Sequence, residues 1–136
     1  MNFDDDIKII VDLGANIGDT SIYYSIRYPK AKIFSVEPNP EIYKRLCKNT
    51  HYFKNIVPLN FAISDFTGKQ FFYLYKSHLG SSLNSRSDKD EKITVEALTF
   101  PDFLAQQGID FVDILKFDIE GGESYLLKRD HLQGTV

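Results

Sequence analysis

The stretch IKIIVDLGANIGDTS, residues 7–21, decides the fold class of this 136-residue chain. Its first part, through Leu13, is a short apolar run rich in β-branched residues, which is typical of a strand buried on both faces. Gly14 and Gly18 then enclose a short loop, and residues 19–21 are polar types that commonly begin a helix. A buried strand, a glycine loop and a helix in this order predict the first half of a β-α-β unit.

The same alternation of strand and helix continues along the chain. The segments that follow are a strand at 31–36, a helix that begins after Asn39, a strand at 55–63, an extended run at 70–75, a helix between Thr99 and Gly108, and a strand at 111–118. Residues 76–91 are polar and rich in serine, which favours a surface loop. Because strands that alternate with helices form right-handed parallel units, the chain predicts an α/β fold with a doubly wound, mostly parallel Rossmann-like sheet.

Composition excludes several classes of protein. Sixteen basic and 19 acidic residues give a net charge of −3, whereas a protein that binds nucleic acid through phosphate contacts is usually basic. Cys47 is the single cysteine, so no internal disulfide can form. No apolar run reaches the roughly 18 residues of a membrane span, and the acidic residues 1–6 do not resemble a secretory signal. We therefore expect a cytoplasmic protein that binds neither nucleic acid nor membrane.

Two acidic residues stand where predicted strands end, which is where parallel sheets bind ligands. Glu37 ends the second strand and is placed to accept hydrogen bonds from both hydroxyls of a ribose, while Asp12 could pair with an ammonium group. The loop reads G-x-N-x-G, not G-x-G-x-x-G, and Asp19 adds a negative charge where a pyrophosphate would lie. These features disfavour an NAD-linked oxidoreductase and favour a nucleoside that carries ammonium and carboxylate groups, S-adenosylmethionine.

A third acidic group follows the last predicted strand. Asp118 and Glu120 lie at its carboxyl end, where they could act as a base on a hydroxyl or hold a divalent ion. Alternatively, Glu120 and Glu123 lie near the N-terminus of a helix, where their negative charges interact favourably with the helix dipole. Both interpretations stay open on the residues alone.

Residues 11–21, 36–40 and 114–123 together resemble the FkbM family of S-adenosylmethionine-dependent methyltransferases. Residues 60–65 and 80–83 are also similar to that family, so the resemblance covers nearly all of residues 8–128. It implies O-methylation of a sugar or a small natural-product hydroxyl. The roles it implies are the methionine end of the cofactor for Asp12, Gly14, Asn16 and Gly18, the ribose for Glu37, the adenine for Ala62, Ile63 and Ser64, the transferred methyl for Asp118 and Glu120, and substrate binding for Ser81 and Ser82.

Members of this family continue with further strands, whereas this chain ends at Val136. We therefore expect one methyltransferase domain over residues 1–136, truncated at its C-terminus, with an exposed sheet edge that a second copy could cover. A non-catalytic module that holds the cofactor or a partner is the alternative function. Whether a divalent metal takes part is left open.

Overall fold

The computed structural model describes residues 6–74, 81–82 and 91–118. In chain order its elements are β1 (Ile9–Leu13), α1 (Asp19–Arg27), β2 (Lys32–Val36), α2 (Pro40–Thr50), β3 (Ile56–Leu59), β4 (Ala62–Ile63), β5 (Gly68–Leu74), β6 (Ser81–Ser82), β7 (Glu91–Leu98), α3 (Phe100–Gln107) and β8 (Ile114–Phe117).

Four parallel strands form the central sheet, in the order β3-β2-β1-β8. Val11 in β1 lies between Phe34 of β2 and Leu115 of β8, so the last strand runs beside the first. Parallel strands need crossover connections, and the helices provide them. The predicted mostly parallel α/β sheet is therefore confirmed, and the carboxyl ends of β1, β2 and β8 meet at one edge.

Helices cover both faces of the central sheet. On one face, Val11 and Phe34 pack with Phe100 and Phe103 of α3 in the main core cluster. On the other face, residues of α1 pack against Ile10 and its neighbours. Side chains of successive strand residues point to opposite faces, so β1 contributes to both cores.

The predicted helix caps are confirmed. Asn39 caps α2, where its Oδ1 accepts hydrogen bonds from the N–H groups of Glu41 (3.0 Å) and Ile42 (3.3 Å). Thr99 caps α3 through the N–H of Asp102, and Gly108 ends that helix in the left-handed conformation. These bonds satisfy groups that a helix end otherwise leaves without partners.

The prediction of a single strand over 55–63 is wrong. The chain leaves the central sheet at Asn60, whose side-chain amide donates to the carbonyl oxygens of Glu37 (2.8 Å) and Pro38 (3.1 Å). Residues 62–63 instead join a second sheet of order β4-β7-β5-β6, in which β5 is antiparallel to β6 and β7. The strand β7 was not predicted from the sequence. The predicted loop over 76–91 is wrong at Ser81–Ser82, which form β6, and at Glu91, where β7 begins; the rest of it lies outside the described residues and stays a prediction.

Candidate functional site

The loop between β1 and α1 has an unusual backbone. Gly14, Asn16 and Gly18 have φ angles of 76°, 56° and 101°, and asparagine is among the few residues other than glycine that tolerate this region. The N–H groups of Gly14 and Ala15 both donate to the carbonyl oxygen of Val36, each at 2.9 Å. The loop is thereby held across the end of β2, next to Glu37.

Glu37 is nearly buried, with 7% of its surface exposed. Its Oε1 accepts from the N–H of Asn16 (2.9 Å), and its Oε2 accepts from the N–H of Asn39 (3.0 Å). Burial raises the pKa of Glu37, while these two N–H groups oppose that rise; the charge of Asp12 adds to it and that of Lys116 opposes it. The carboxylate thus joins the glycine loop to the start of α2, and each oxygen keeps a lone pair that can accept a further hydrogen bond.

Asp12 is fully buried at the base of the loop. Its Oδ2 accepts a hydrogen bond from Ser21 Oγ (2.7 Å), and its Oδ1 lies 3.2 Å from the ammonium nitrogen of Lys116 as an ion pair without a well-aligned hydrogen bond. Ser21 Oγ also lies 2.6 Å from Ser35 Oγ, which ties α1 to β2. The ammonium group beside Asp12 is therefore that of Lys116, a residue that sequence reasoning did not place in the site.

Asp118 stands at the same edge of the sheet. It is exposed, and its N–H donates to the carbonyl oxygen of Leu13 (3.0 Å), the residue before the glycine loop. Glu120 lies outside the described residues. The backbone of Ser81 and Ser82 forms β6, which pairs with β5 in the second sheet. The structure therefore brings the loop, Glu37 and Asp118 together.

The residues assigned to the adenine by the resemblance are buried. Ala62, Ile63 and Ser64 have relative exposures of 2%, 1% and 0%, and the N–H of Ser64 donates to the carbonyl oxygen of Leu98 (2.9 Å). A cleft of about 210 Å³ opens nearby, lined by Pro38, Pro40, Asn60, Lys69, Thr94, Val95 and Glu96. Sequence reasoning did not assign Pro38, Pro40 or Asn60 to the site, although each closely follows the end of a strand.

The family model of the Methyltransferase FkbM domain matches residues 12–134. This chain belongs to the FkbM methyltransferase family. The resemblance found from its three motifs is therefore confirmed.

Curated members related to this FkbM chain have low sequence identity to it. Methyltransferase sdnD of Sordaria araneosa is 28% identical, with 88% of this chain and 59% of sdnD covered. Hexuronic acid methyltransferase AglP of Haloferax volcanii is 25% identical (88% and 48% covered), and 2-O-methyltransferase NoeI of Sinorhizobium fredii is 26% identical (85% and 54% covered). The chain spans about half the length of these relatives. No solved structure matches it.

Among residues 6–74, 81–82 and 91–118, no three His, Cys, Asp or Glu side chains are grouped so that they could hold a metal ion. In the same part of the chain, no helix is both long and apolar enough to span a bilayer.

We expect Gly18→Ala to destabilise this FkbM domain by about 1–3 kcal/mol in urea denaturation. The residue has a φ of 101°, and an added Cβ would lie 3.0 Å from both Leu46 Cδ1 and Thr50 Cγ2 of α2. Gly108→Ala is the control, because its φ is 67° and no atom lies within 4 Å of the added Cβ. Its expected cost is about 1 kcal/mol. Equal losses of unfolding free energy in the two variants would show that the contacts between the loop and α2 do not contribute to the cost of Gly18→Ala.

Proposed function

We propose that this chain is an S-adenosylmethionine-dependent methyltransferase domain that O-methylates a small molecule, a sugar or natural product. The observation that carries the proposal is the Glu37 carboxylate, held by two backbone N–H groups at the end of β2 and beside the glycine loop. The name of one relative, a 2-O-methyltransferase, supports transfer to a hydroxyl oxygen, and the name of another, a hexuronic acid methyltransferase, supports a sugar acid as the acceptor class. The acidic net charge supports a small molecule over nucleic acid.

The residues at this edge fit the cofactor. Each Glu37 oxygen accepts one described N–H, which leaves acceptor capacity for the two hydroxyls of a ribose. Gly14 has no side chain, so a ligand can approach the loop backbone there closely, whereas the side of Gly18 that lacks a Cβ faces α2. Asn16 lies between them and is exposed. We assign the methionine end of the cofactor to this loop, with Asp12 supporting it from below.

Residues 62–64 keep the assignment to the adenine that the resemblance implies, and they are buried as whole residues, main chain included. The neighbouring cleft, between Pro38 after β2 and Asn60 after β3, provides open space beside Glu37 on its β3 side. This direction leads away from β8, so the adenine and the acceptor would lie on opposite sides of the ribose.

The bound cofactor supplies an electrophilic methyl group, so the chain itself must mainly bind, orient and accept a proton. Asp118 is the described carboxylate that is exposed at the end of β8, beside the loop. We assign it the proton that the acceptor hydroxyl loses as its oxygen takes up the methyl group. Glu120 is the second residue assigned to this step, and Ser81 and Ser82 are assigned to the acceptor.

Glu37→Ala is expected to weaken binding of S-adenosylhomocysteine by roughly 10- to 150-fold, because the ribose loses charge-assisted hydrogen bonds. Isothermal titration calorimetry measures the affinity. Glu41→Ala is the matched control, since Glu41 is exposed on α2 and pairs with Lys44. An affinity of Glu37→Ala within about twofold of the parent would remove the ribose assignment.

Two further measurements separate the alternatives. Tight binding of NAD in place of S-adenosylhomocysteine would point to an oxidoreductase. Transfer of a labelled methyl group to a hydroxyl acceptor would distinguish an enzyme from a module that only holds the cofactor.

A further inference from the structure

The side chain of Asn60 connects the end of β3 to the end of β2. Its nitrogen Nδ2 donates to the carbonyl oxygens of Glu37 (2.8 Å) and Pro38 (3.1 Å). These two bonds use both hydrogens of the amide. Asn60 is exposed and lines the cleft of about 210 Å³ beside Glu37. An exposed side chain is thus held in one orientation against the residue assigned to the ribose.

Two consecutive residues at the end of β3 hold both main-chain polar groups of Glu37. Val36 pairs with Leu59 in the parallel register, and the N–H of Glu37 donates to the carbonyl oxygen of Leu59 (2.9 Å). If the two strands continued side by side, the carbonyl oxygen of Glu37 would accept a further backbone N–H. The chain instead leaves the central sheet here, and the Asn60 amide supplies that donor. The carbonyl of Glu37 therefore keeps a partner at the point where the strands separate.

The carboxylate of Glu37 is held by other main-chain groups. Its Oε1 accepts from the N–H of Asn16 (2.9 Å) and its Oε2 from the N–H of Asn39 (3.0 Å). Because hydrogen bonds weaken steeply with misalignment, both form well only when the main chain of Glu37 is correctly placed. Within the described part of the chain, Asn60 bonds only to main-chain oxygens. Any effect of Asn60 on the carboxylate therefore passes through the main chain of residues 37–38.

We propose that Asn60 is a positioning residue of the cofactor site, an inference that rests on the proposed function. It holds the main chain of residues 37–38 where β2 and β3 separate, and it thereby directs the Glu37 carboxylate to the two ribose hydroxyls. Asn60 itself is assigned no contact with the cofactor. Its removal should cost only what correct placement of Glu37 contributes, and that cost should depend on the ribose hydroxyls.

Asn55 provides the matched control, because it stands at the other end of β3. It precedes the strand, and its Nδ2 donates to the carbonyl oxygens of Ala31 (3.0 Å) and Ser25 (3.5 Å). Asn55→Ala thus removes two bonds of the same kind, at the edge of the sheet opposite to Glu37. A loss of affinity caused by general loosening of β3 would appear in both variants.

The test is isothermal titration calorimetry of the full chain with S-adenosylhomocysteine and with its analogue that lacks both ribose hydroxyls. Asn60→Ala should bind S-adenosylhomocysteine about 5- to 20-fold more weakly, because the carboxylate is retained but misplaced. Its affinity for the analogue should stay within about twofold of the parent, and Asn55→Ala should keep both affinities within the same limit. A parental ratio of the two affinities in Asn60→Ala would overturn the proposal, as would an equal loss in Asn55→Ala.

Glu37→Ala provides a background in which Asn60 has no carboxylate to position. Adding Asn60→Ala to it should change the affinity for S-adenosylhomocysteine by less than about twofold. An undiminished loss in this background would show that Asn60 contacts the cofactor directly, and it would overturn the positioning role. Asn60→Leu, which keeps the branched shape without a donor, replaces Asn60→Ala in both experiments if that variant does not fold.

Failure of the proposed function would be seen separately, as no binding of S-adenosylhomocysteine by the parent. Hydrogen exchange of backbone amides then tests Asn60 without a ligand. The N–H of Asn16 bonds to Glu37, whereas that of Gly14 bonds to a main-chain carbonyl. In Asn60→Ala, exchange at Asn16 should rise by about threefold or more relative to exchange at Gly14, and in Asn55→Ala it should not. Equal changes at the two amides in Asn60→Ala would overturn the proposal.

Discussion

Asp118→Asn is expected to slow methyl transfer by at least ~100-fold, the low end of the contribution of general acid–base catalysis. Asparagine has the same shape as aspartate but cannot take up the proton that the acceptor hydroxyl loses. The residue is exposed at the end of β8, and its N–H bond to Leu13 places it beside the glycine loop. The measurement is transfer of labelled methyl from S-adenosylmethionine to an accepted hydroxyl substrate.

Asp110→Asn is the matched control for this prediction. Asp110 is also exposed but precedes β8, at the opposite end of the sheet, so its replacement should leave the rate unchanged. Affinity of Asp118→Asn for S-adenosylhomocysteine should stay within about twofold of the parent. If Asp118 instead acts by holding a divalent ion, a chelator will slow the parent as much as the substitution does. Parental turnover by Asp118→Asn would contradict the catalytic assignment.

Gly14→Val is expected to lower affinity for S-adenosylhomocysteine by at least ~100-fold. The backbone at Gly14 has a φ of 76°, where a β-branched residue is strained by about 1–3 kcal/mol. The branched side chain would also occupy the space in which the proposed cofactor approaches the loop. Calorimetry measures the affinity, and circular dichroism shows whether the fold is retained.

Gly108→Val separates backbone strain from loss of the binding surface. It has a similar φ of 67°, and nothing lies within 4 Å of an added Cβ. We expect similar strain at Gly108 but parental affinity. If Gly14→Val does not fold, Gly14→Ala takes its place with an expected loss of at least about tenfold. Parental affinity in the folded Gly14 variant would show that the loop does not contact the cofactor.

Helix ends were predictable because their determinants are local. Asn39 and Thr99 bond to N–H groups two or three residues further along the chain, so a short window of sequence contains the whole interaction. Burial along α1 depends on tertiary contacts instead. Tyr23 and Ile26 are 60% and 68% exposed, whereas Ser21 is buried because its hydroxyl bonds to Asp12.

The second sheet was not predictable to the same degree, because its pairings join distant residues. In β7, Val95 and Ala97 alternate with the exposed Thr94 and Glu96, which is a strand pattern that sequence reasoning overlooked. Even with that strand, pairing of residues 68–74 with 91–98 depends on a register that no local signal specifies. The break at Asn60 likewise depends on carbonyl groups of another strand end.

In the candidate site too, residues set by local sequence were predictable and residues set by strand pairing were not. Glu37 and Gly14 were identifiable because each directly follows a predicted strand, and Gly18 because it closes the short loop that begins at Gly14. Lys116 was not, because its pairing with Asp12 spans 104 positions of sequence and follows from strand register alone. A ligand ammonium group was therefore assigned to a carboxylate that the fold already pairs internally.

The anchoring of the glycine loop has a consequence for how this domain tolerates sequence change. One carbonyl oxygen, that of Val36, receives two consecutive N–H groups, and the loop ends where the N–H of Gly18 returns to the carbonyl of Ala15. These contacts are made by main-chain atoms, so replacements at Ala15 and Ile17, whose φ is not positive, can leave them intact. A residue removed or added between Gly14 and Gly18 would displace the N–H groups that follow it from their acceptors. The loop must therefore preserve its length as well as the residues at its three positive-φ positions as the sequence diverges.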